Sequence, residues 1–203
     1  LAVSFTYALT DRLALSAGIP LVSSEYHGER PHVETAIDDS DYHTTLTDFS
    51  VELRFQAFAE PWALAPYVAL AVPSHSYETL GHAAPGQGLM RYAAGFFAGK
   101  SLDPWIPRTY LHGRYGYTYL EPVAGIEHAR SNLDLEIGYF VTPRLAVRAL
   151  GLWQEAHGGI DVPVPRTDPL YPYHDQLGAE SFVNVGGGAS FSLTATVDVY
   201  ATY

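Results

Sequence analysis

The sequence predicts an all-β protein, an antiparallel up-and-down transmembrane β-barrel with about ten strands present. Three observations lead there. Over 48–57, apolar Phe49, Val51, Leu53, Phe55 and Ala57 alternate without error with polar Asp48, Ser50, Glu52, Arg54 and Gln56. Period two belongs to the strand, whose successive side chains point to opposite faces. Ten residues is also about the length a tilted strand needs to cross a hydrocarbon layer. Second, tight turns and longer polar loops alternate along the chain, so the short connections gather on one edge of the sheet. Third, charges keep to one face of nearly every strand-like segment.

In chain order, Val3, Phe5, Tyr7 and Leu9 alternate with Ala2, Ser4, Thr6 and Ala8. Thr10-Asp11-Arg12 turns into a second strand over 13–19. Residues 23–45 are polar, carry Pro31 and several acids, and read as a long loop. The 48–57 strand follows, then a short turn at Glu60-Pro61-Trp62 and a strand from Ala63 to Val72. Pro66 lies near the start of that strand, where a missing donor is tolerated. A second polar loop covers 74–88. Tyr92, Ala94, Phe96 and Ala98 share a face of the next strand, which ends at Asp103-Pro104-Trp105. The strand over 110–120 leads into a shorter loop at about 121–131. Leu133, Leu135, Ile137, Tyr139 and Val141 then alternate with Asp134, Glu136, Gly138 and Phe140. Thr142-Pro143-Arg144 returns the chain through 145–154. A third loop, 155–177, is rich in proline (Pro163, Pro165, Pro169, Pro172). The last hairpin turns at Ser192-Leu193-Thr194-Ala195. Sustained helical periodicity is missing. The short turns rhyme as LTDRLAL, AEPWALA, LDPWIP and VTPRLAV, the internal repeat of a meander with one hairpin per unit.

With 203 residues the chain is long enough for one large β domain or two small ones, and the continuous meander favours a single domain, 1–203. Lys and Arg number 11 against 22 Asp and Glu, so there is no basic patch for nucleic acid. Cysteine is absent, which excludes disulfides and thiol metal sites. A transmembrane helix is excluded because no run of about eighteen apolar residues exists. Fifteen Tyr, three Trp and nine Phe suit a surface that crosses an apolar–aqueous boundary. Trp62, Trp105, Tyr7 and Tyr139 are the expected interface aromatics. Short turns on one edge and long loops on the other match the asymmetry of outer-membrane barrels. A soluble sandwich or lipocalin-like barrel, acting as a ligand-binding module, has the same faces turned inside out and stays open as an alternative.

The phrases YALTDRLALSAGIPLV and YFVTPRLAVRALGLW resemble Gram-negative outer-membrane barrels, in particular the transporter family named after the meta-pathway of phenol degradation. The resemblance runs along the whole chain as a strand–turn rhythm. It implies a porin-like channel in the bacterial outer membrane, with the lipid bilayer as partner and small hydrophobic or aromatic solutes as cargo. If the short turns are periplasmic, the first strand begins and the tenth ends on the outside. The expectation is therefore a twelve-stranded parent barrel, seen here one strand short at each end.

By parity the lumen receives Glu52, Arg54, Arg91, His112, Arg114, Asp134, Glu136, Arg148, Glu180 and Asp198. They form either a constriction that selects by charge and size or a mutually neutralised filling of a narrow bore. Consecutive Gly186, Gly187 and Gly188 read as tight curvature or close approach of another group rather than a phosphate loop. His27, His32, His43, His75, His82, His157 and His174 scatter over the loops without HExxH spacing, so no metal and no cofactor is expected. Ser74-His75 and His174-Asp175 are the pairs nearest to catalytic chemistry, but neighbours in a loop rarely converge, and no enzyme activity is expected.

Overall fold

The computed structural model describes residues 1–28, 37–194 and 197–203. Loop positions 29–36, with Pro31 and His32, and Ala195 and Thr196 of the last hairpin lie outside the described residues. The strands are β1 (Ala2–Ala8), β2 (Leu13–Ser24), β3 (His43–Leu46), β4 (Asp48–Phe55), β5 (Ala63–Pro73) and β6 (Arg91–Ser101). They continue as β7 (Thr109–Val123), β8 (Ile126–Thr142), β9 (Leu145–Gly158), β10 (Phe182–Ser192) and β11 (Asp198–Thr202). A turn of 3-10 helix (Tyr171–Tyr173) runs into a single-turn helix, α1 (His174–Leu177).

Among the described residues every pairing between these strands is antiparallel, in the order β1-β2-β4-β5-β6-β7-β8-β9-β10-β11, with short β3 beside the end of β2. The meander read from the sequence is therefore present. Closure is not. Among the described residues β1 pairs with β2 alone and β11 with β10 alone, so the sheet is open rather than a closed barrel.

Repeated turn sequences give repeated turns. Thr10 Oγ1 accepts the backbone N–H groups of Arg12 and Leu13 at 3.2 and 3.0 Å. Thr142 Oγ1 accepts those of Arg144 and Leu145 at the same distances. A hydroxyl that bonds its own backbone two and three residues on holds the chain in a tight reversal.

The 121–131 loop expected from the sequence is instead a long β-hairpin. β7 and β8 run to Val123 and from Ile126, joined by Ala124-Gly125 with φ of 51° and 78°. Positive φ at both central residues is the two-residue hairpin turn whose twist matches the strands. The hairpin escaped the sequence pattern because Glu121, Glu127 and Ser131 break the apolar alternation.

The sheet curls towards its charged face. Glu52 on β4 and Arg114 on β7 meet at 2.9 Å, although three strand spacings separate them by about 14 Å in a flat sheet. The apolar face is convex and uncovered: Phe49, Leu53, Leu135 and Val199 are 41, 38, 47 and 53 % exposed. The dry core lies elsewhere. Leu89, Leu120, Ile160 and Leu177 are buried together at the long-loop end, packed by Val123, Ile126, Val164, Leu170 and Tyr173.

Candidate functional site

Alternation delivers the charged side chains to the concave face in three tiers. Near the long-loop end, Arg91 on β6 bonds Asp48 on β4 at 2.9 Å, and Asp48 is nearly fully buried. At mid-height Arg114 bonds Glu52 and lies over the rings of Tyr67 and Phe97, at 4.6 and 5.0 Å from their centroids. Asp134 stands opposite Arg114 in the β7–β8 register. Lower, Arg148 on β9 meets Glu136 on β8 at 3.3 Å, and Tyr110 donates its hydroxyl to the same carboxylate. Arg54 also lies over Phe97, at 5.0 Å from its centroid, and His112 stacks on that ring at 6.0 Å.

These pairs are half-buried, where attraction is stronger than at a free surface but desolvation takes back much of it. Each acid offsets an arginine, so the concave face carries little net charge. The excess of acids falls in the loops.

Eight of the ten charged residues singled out by parity thus line one surface. Two stand apart. Glu180 precedes β10, and its exposed side chain borders a cavity under the loops. Asp198 keeps the inner register opposite Ser192 but opens edge strand β11, so it is exposed. Sequence parity missed Asp48, which it treated only as the start of a strand, and Arg130, which it placed in a loop. Arg130 follows the inner register of β8 and donates to the side-chain oxygen of Gln87.

Gly186 and Gly188 do meet a close neighbour. A Cβ on Gly186 would stand 2.5 Å from the carbonyl of Tyr203, just past β11, and one on Gly188 2.5 Å from that of Ala201 on β11.

The loops fold over the upper end of this face as a cap. Gln87 and Gln176 each donate a side-chain amide to the other's backbone carbonyl at 2.7 Å, tying the loop before β6 to α1. Buried Asp38 accepts the N–H groups of His82 and Ala83. Tyr77 donates to Asp48 and accepts the N–H of Gly88. Burial first, then the bond to Asp48, pushes the Tyr77 phenol well above its usual range. In the loop before β3, His43 at 2.8 Å, then the N–H of Asp41, holds the Asp39 carboxyl below its usual range. Beneath the cap a cavity of about 420 Å³ is bounded by Arg91, Arg130 and His128 on one side of the charge balance and Asp48, Asp175 and Glu180 on the other. A second cavity, about 280 Å³, opens at the short-turn end beside Arg12, Arg54, Phe97 and His112.

Two loop pairs behave differently. Ser74 Oγ is 2.9 Å from His75 Nδ1, but His75 Nε2 faces the Thr45 hydroxyl at 3.0 Å. The carboxylate that steadies an imidazolium in a hydrolytic triad is not the partner there. His174 and Asp175, expected not to converge, do so: His174 Nε2 lies 3.4 Å from Asp175 Oδ1. His82, remote in sequence, joins them with Nδ1 at 3.2 Å from Asp175 Oδ2. Linear spacing gave no sign of this cluster, because its members sit on two different loops.

On the convex side, Tyr7, Trp62, Trp105 and Tyr139 ring the short-turn end, all exposed. Lys100 reaches over both indoles, at 5.2 Å from Trp62 and 4.9 Å from Trp105. An upper row consists of Tyr92, Tyr117 and Tyr119, with Trp153 near the top of β9. The sequence reading named the lower row alone. The upper one becomes visible through register, which sets Tyr92 opposite Tyr119 and Tyr119 opposite Ala129.

Fold and surface together define a curled, open antiparallel meander with a charge-compensated concave face, an apolar convex face and a capped end. No protein-family model matches the chain, and no curated protein matches it.

Proposed function

We propose that this chain forms the wall of a bacterial outer-membrane β-barrel that lets small solutes diffuse through a polar lumen under extracellular loops. One observation carries the reading. Tyr139 and Ala129, the latter opposite Tyr119, lie ten residues apart on β8. Ten residues span about 33 Å of strand, or about 25 Å of height at the tilt usual for such barrels. That is the height of the apolar band that aromatic girdles bound in outer-membrane proteins. Between the two aromatic rows the convex face of β1–β11 carries, among the described residues, no charge but Lys100, which sits against the lower tryptophans. An ammonium there can snorkel to the interface.

The alternating pattern also fits a soluble ligand carrier, but that fold packs its oily face inward. Here Leu53 and Leu135 point away from the charged interior. In a bilayer the edges of β1 and β11 cannot stay unpaired, since no water reaches their backbone groups. The reading therefore requires both edges to be bonded in the membrane. The turn phrases that resemble the phenol-degradation transporter family support the same class, and the near-neutral interior suits small uncharged or aromatic solutes.

The test is purification and reconstitution. The protein is expected to need detergent for extraction and to make liposomes swell in small neutral or aromatic solutes. A monodisperse detergent-free monomer, or vesicles that stay impermeable, would overturn the proposal.

A further inference from the structure

We infer that His82, His174 and Asp175 form a binding site for a divalent transition metal, with Zn²⁺ the best-matched ion, that clasps two loops of the cap. The inference concerns the cap and does not rest on the membrane reading. One donor atom from each residue can be chosen so that all three lie within 4.8 Å of one another. A tetrahedral ion with bonds of about 2.0–2.2 Å holds its donors about 3.4 Å apart. One oxygen of the Asp175 carboxylate stands 3.2 Å from His82 Nδ1, and its other oxygen 3.4 Å from His174 Nε2. The rings must draw in from that spacing for one ion to reach all three donors.

His174 is oriented for this role. Its Nδ1 lies 2.5 Å from the backbone carbonyl of Tyr171. A carbonyl only accepts, so Nδ1 carries a proton, and Nε2, the nitrogen nearer Asp175, is the one a metal would take. A ring nitrogen tied to a backbone carbonyl is the usual support of a metal-bound imidazole. Two imidazoles with one carboxylate favour Zn²⁺, Ni²⁺ or Cu²⁺ over Mg²⁺ and Ca²⁺, which prefer oxygen donors. The three side chains border a cavity of about 430 Å³, leaving room for water or a solute at the fourth position. His82 belongs to the loop between β5 and β6, and His174 and Asp175 to the connection between β9 and β10. An ion bound to all three would link those loops across the upper end of the concave face, alongside the Gln87–Gln176 pair.

Protonated imidazoles could satisfy the same carboxylate without a metal, so the test must see the ion itself. Calorimetric titration of the folded protein with ZnCl₂ at neutral pH is expected to show one equivalent bound per chain. His82→Ala and His174→Ala should each weaken binding at least by the roughly 10–100-fold that losing even an outer partner of a ligand causes. Should His174→Ala disturb α1, Cu²⁺ electron spin resonance on the unaltered protein still reports two coordinated imidazole nitrogens. No binding at millimolar Zn²⁺, equal binding by the His82→Ala/His174→Ala double variant, or a Cu²⁺ spectrum with one nitrogen would each overturn the inference.

Discussion

Leu135 and Val199 on the wall stand about half exposed, whereas Leu120 and Leu177 beneath the cap are wholly buried. Both regions belong to one meander, yet they treat apolar side chains in opposite ways. The cap packs as water-soluble domains do, leucine against isoleucine with polar groups outside. The wall puts its acids and arginines inside and leaves its aliphatic side uncovered. On the membrane reading proposed above, lipid would cover the apolar side of the wall and water the cap. The division falls where the upper aromatic row ends and the β7–β8 hairpin loses its apolar alternation.

The largest effect that would sharpen this contrast is expected in the cap. Leu177→Ala should remove about 2–5 kcal/mol of cap stability, the range for deleting a buried leucine side chain. Hydrogen exchange is expected to rise over 159–181 while the mid-sheet amides of β4–β8 keep their protection. Equal loss in both regions would show that wall and cap are one cooperative unit.

Next comes the convex face. Leu135→Arg should cost about 2–4 kcal/mol when the protein refolds into vesicles, because the cation would sit in hydrocarbon. On a water-exposed surface the same change stays within about 0.5 kcal/mol, so a small value would break the comparison outright.

The concave face should respond less. Glu136→Gln weakens the contacts from Arg148 and Tyr110, and about 1.5–3 kcal/mol should be lost, the range for hydrogen bonds to a charged group. Asp198→Asn, at an exposed edge, serves as the control and should change urea unfolding little.

The smallest effect concerns pH. Tyr77 is neutral in the folded cap, and its pKa there is raised above the 10.0 of a free phenol. Its stabilisation is therefore complete below about pH 10 and lost as pH climbs towards the raised value, since the unfolded chain ionises first. Tyr77→Phe should cost about 1 kcal/mol at neutral pH and flatten the alkaline decline in melting temperature. An unchanged decline would assign it to other tyrosines.

Much of the wall was legible because a strand with one charged and one apolar face writes that difference into the sequence every second residue. That is why 48–57 and 133–141 could be assigned faces, and why Thr10 and Thr142 marked equivalent turns. The β7–β8 tip was not legible. There both faces carry polar residues, and Glu121–Ser131 look like a loop while remaining paired.

Residue order alone determined the antiparallel meander and the face taken by each side chain in alternating segments such as 48–57 and 133–141. Tertiary structure decided the curvature that brings Glu52 to Arg114, the open edges, the buried leucines of the cap and the meeting of His82 with His174 and Asp175. Alternation is a local property, enforced by backbone geometry over a few residues. Curvature and loop convergence depend on contacts between residues far apart in the chain, for which a single sequence holds no periodic signal.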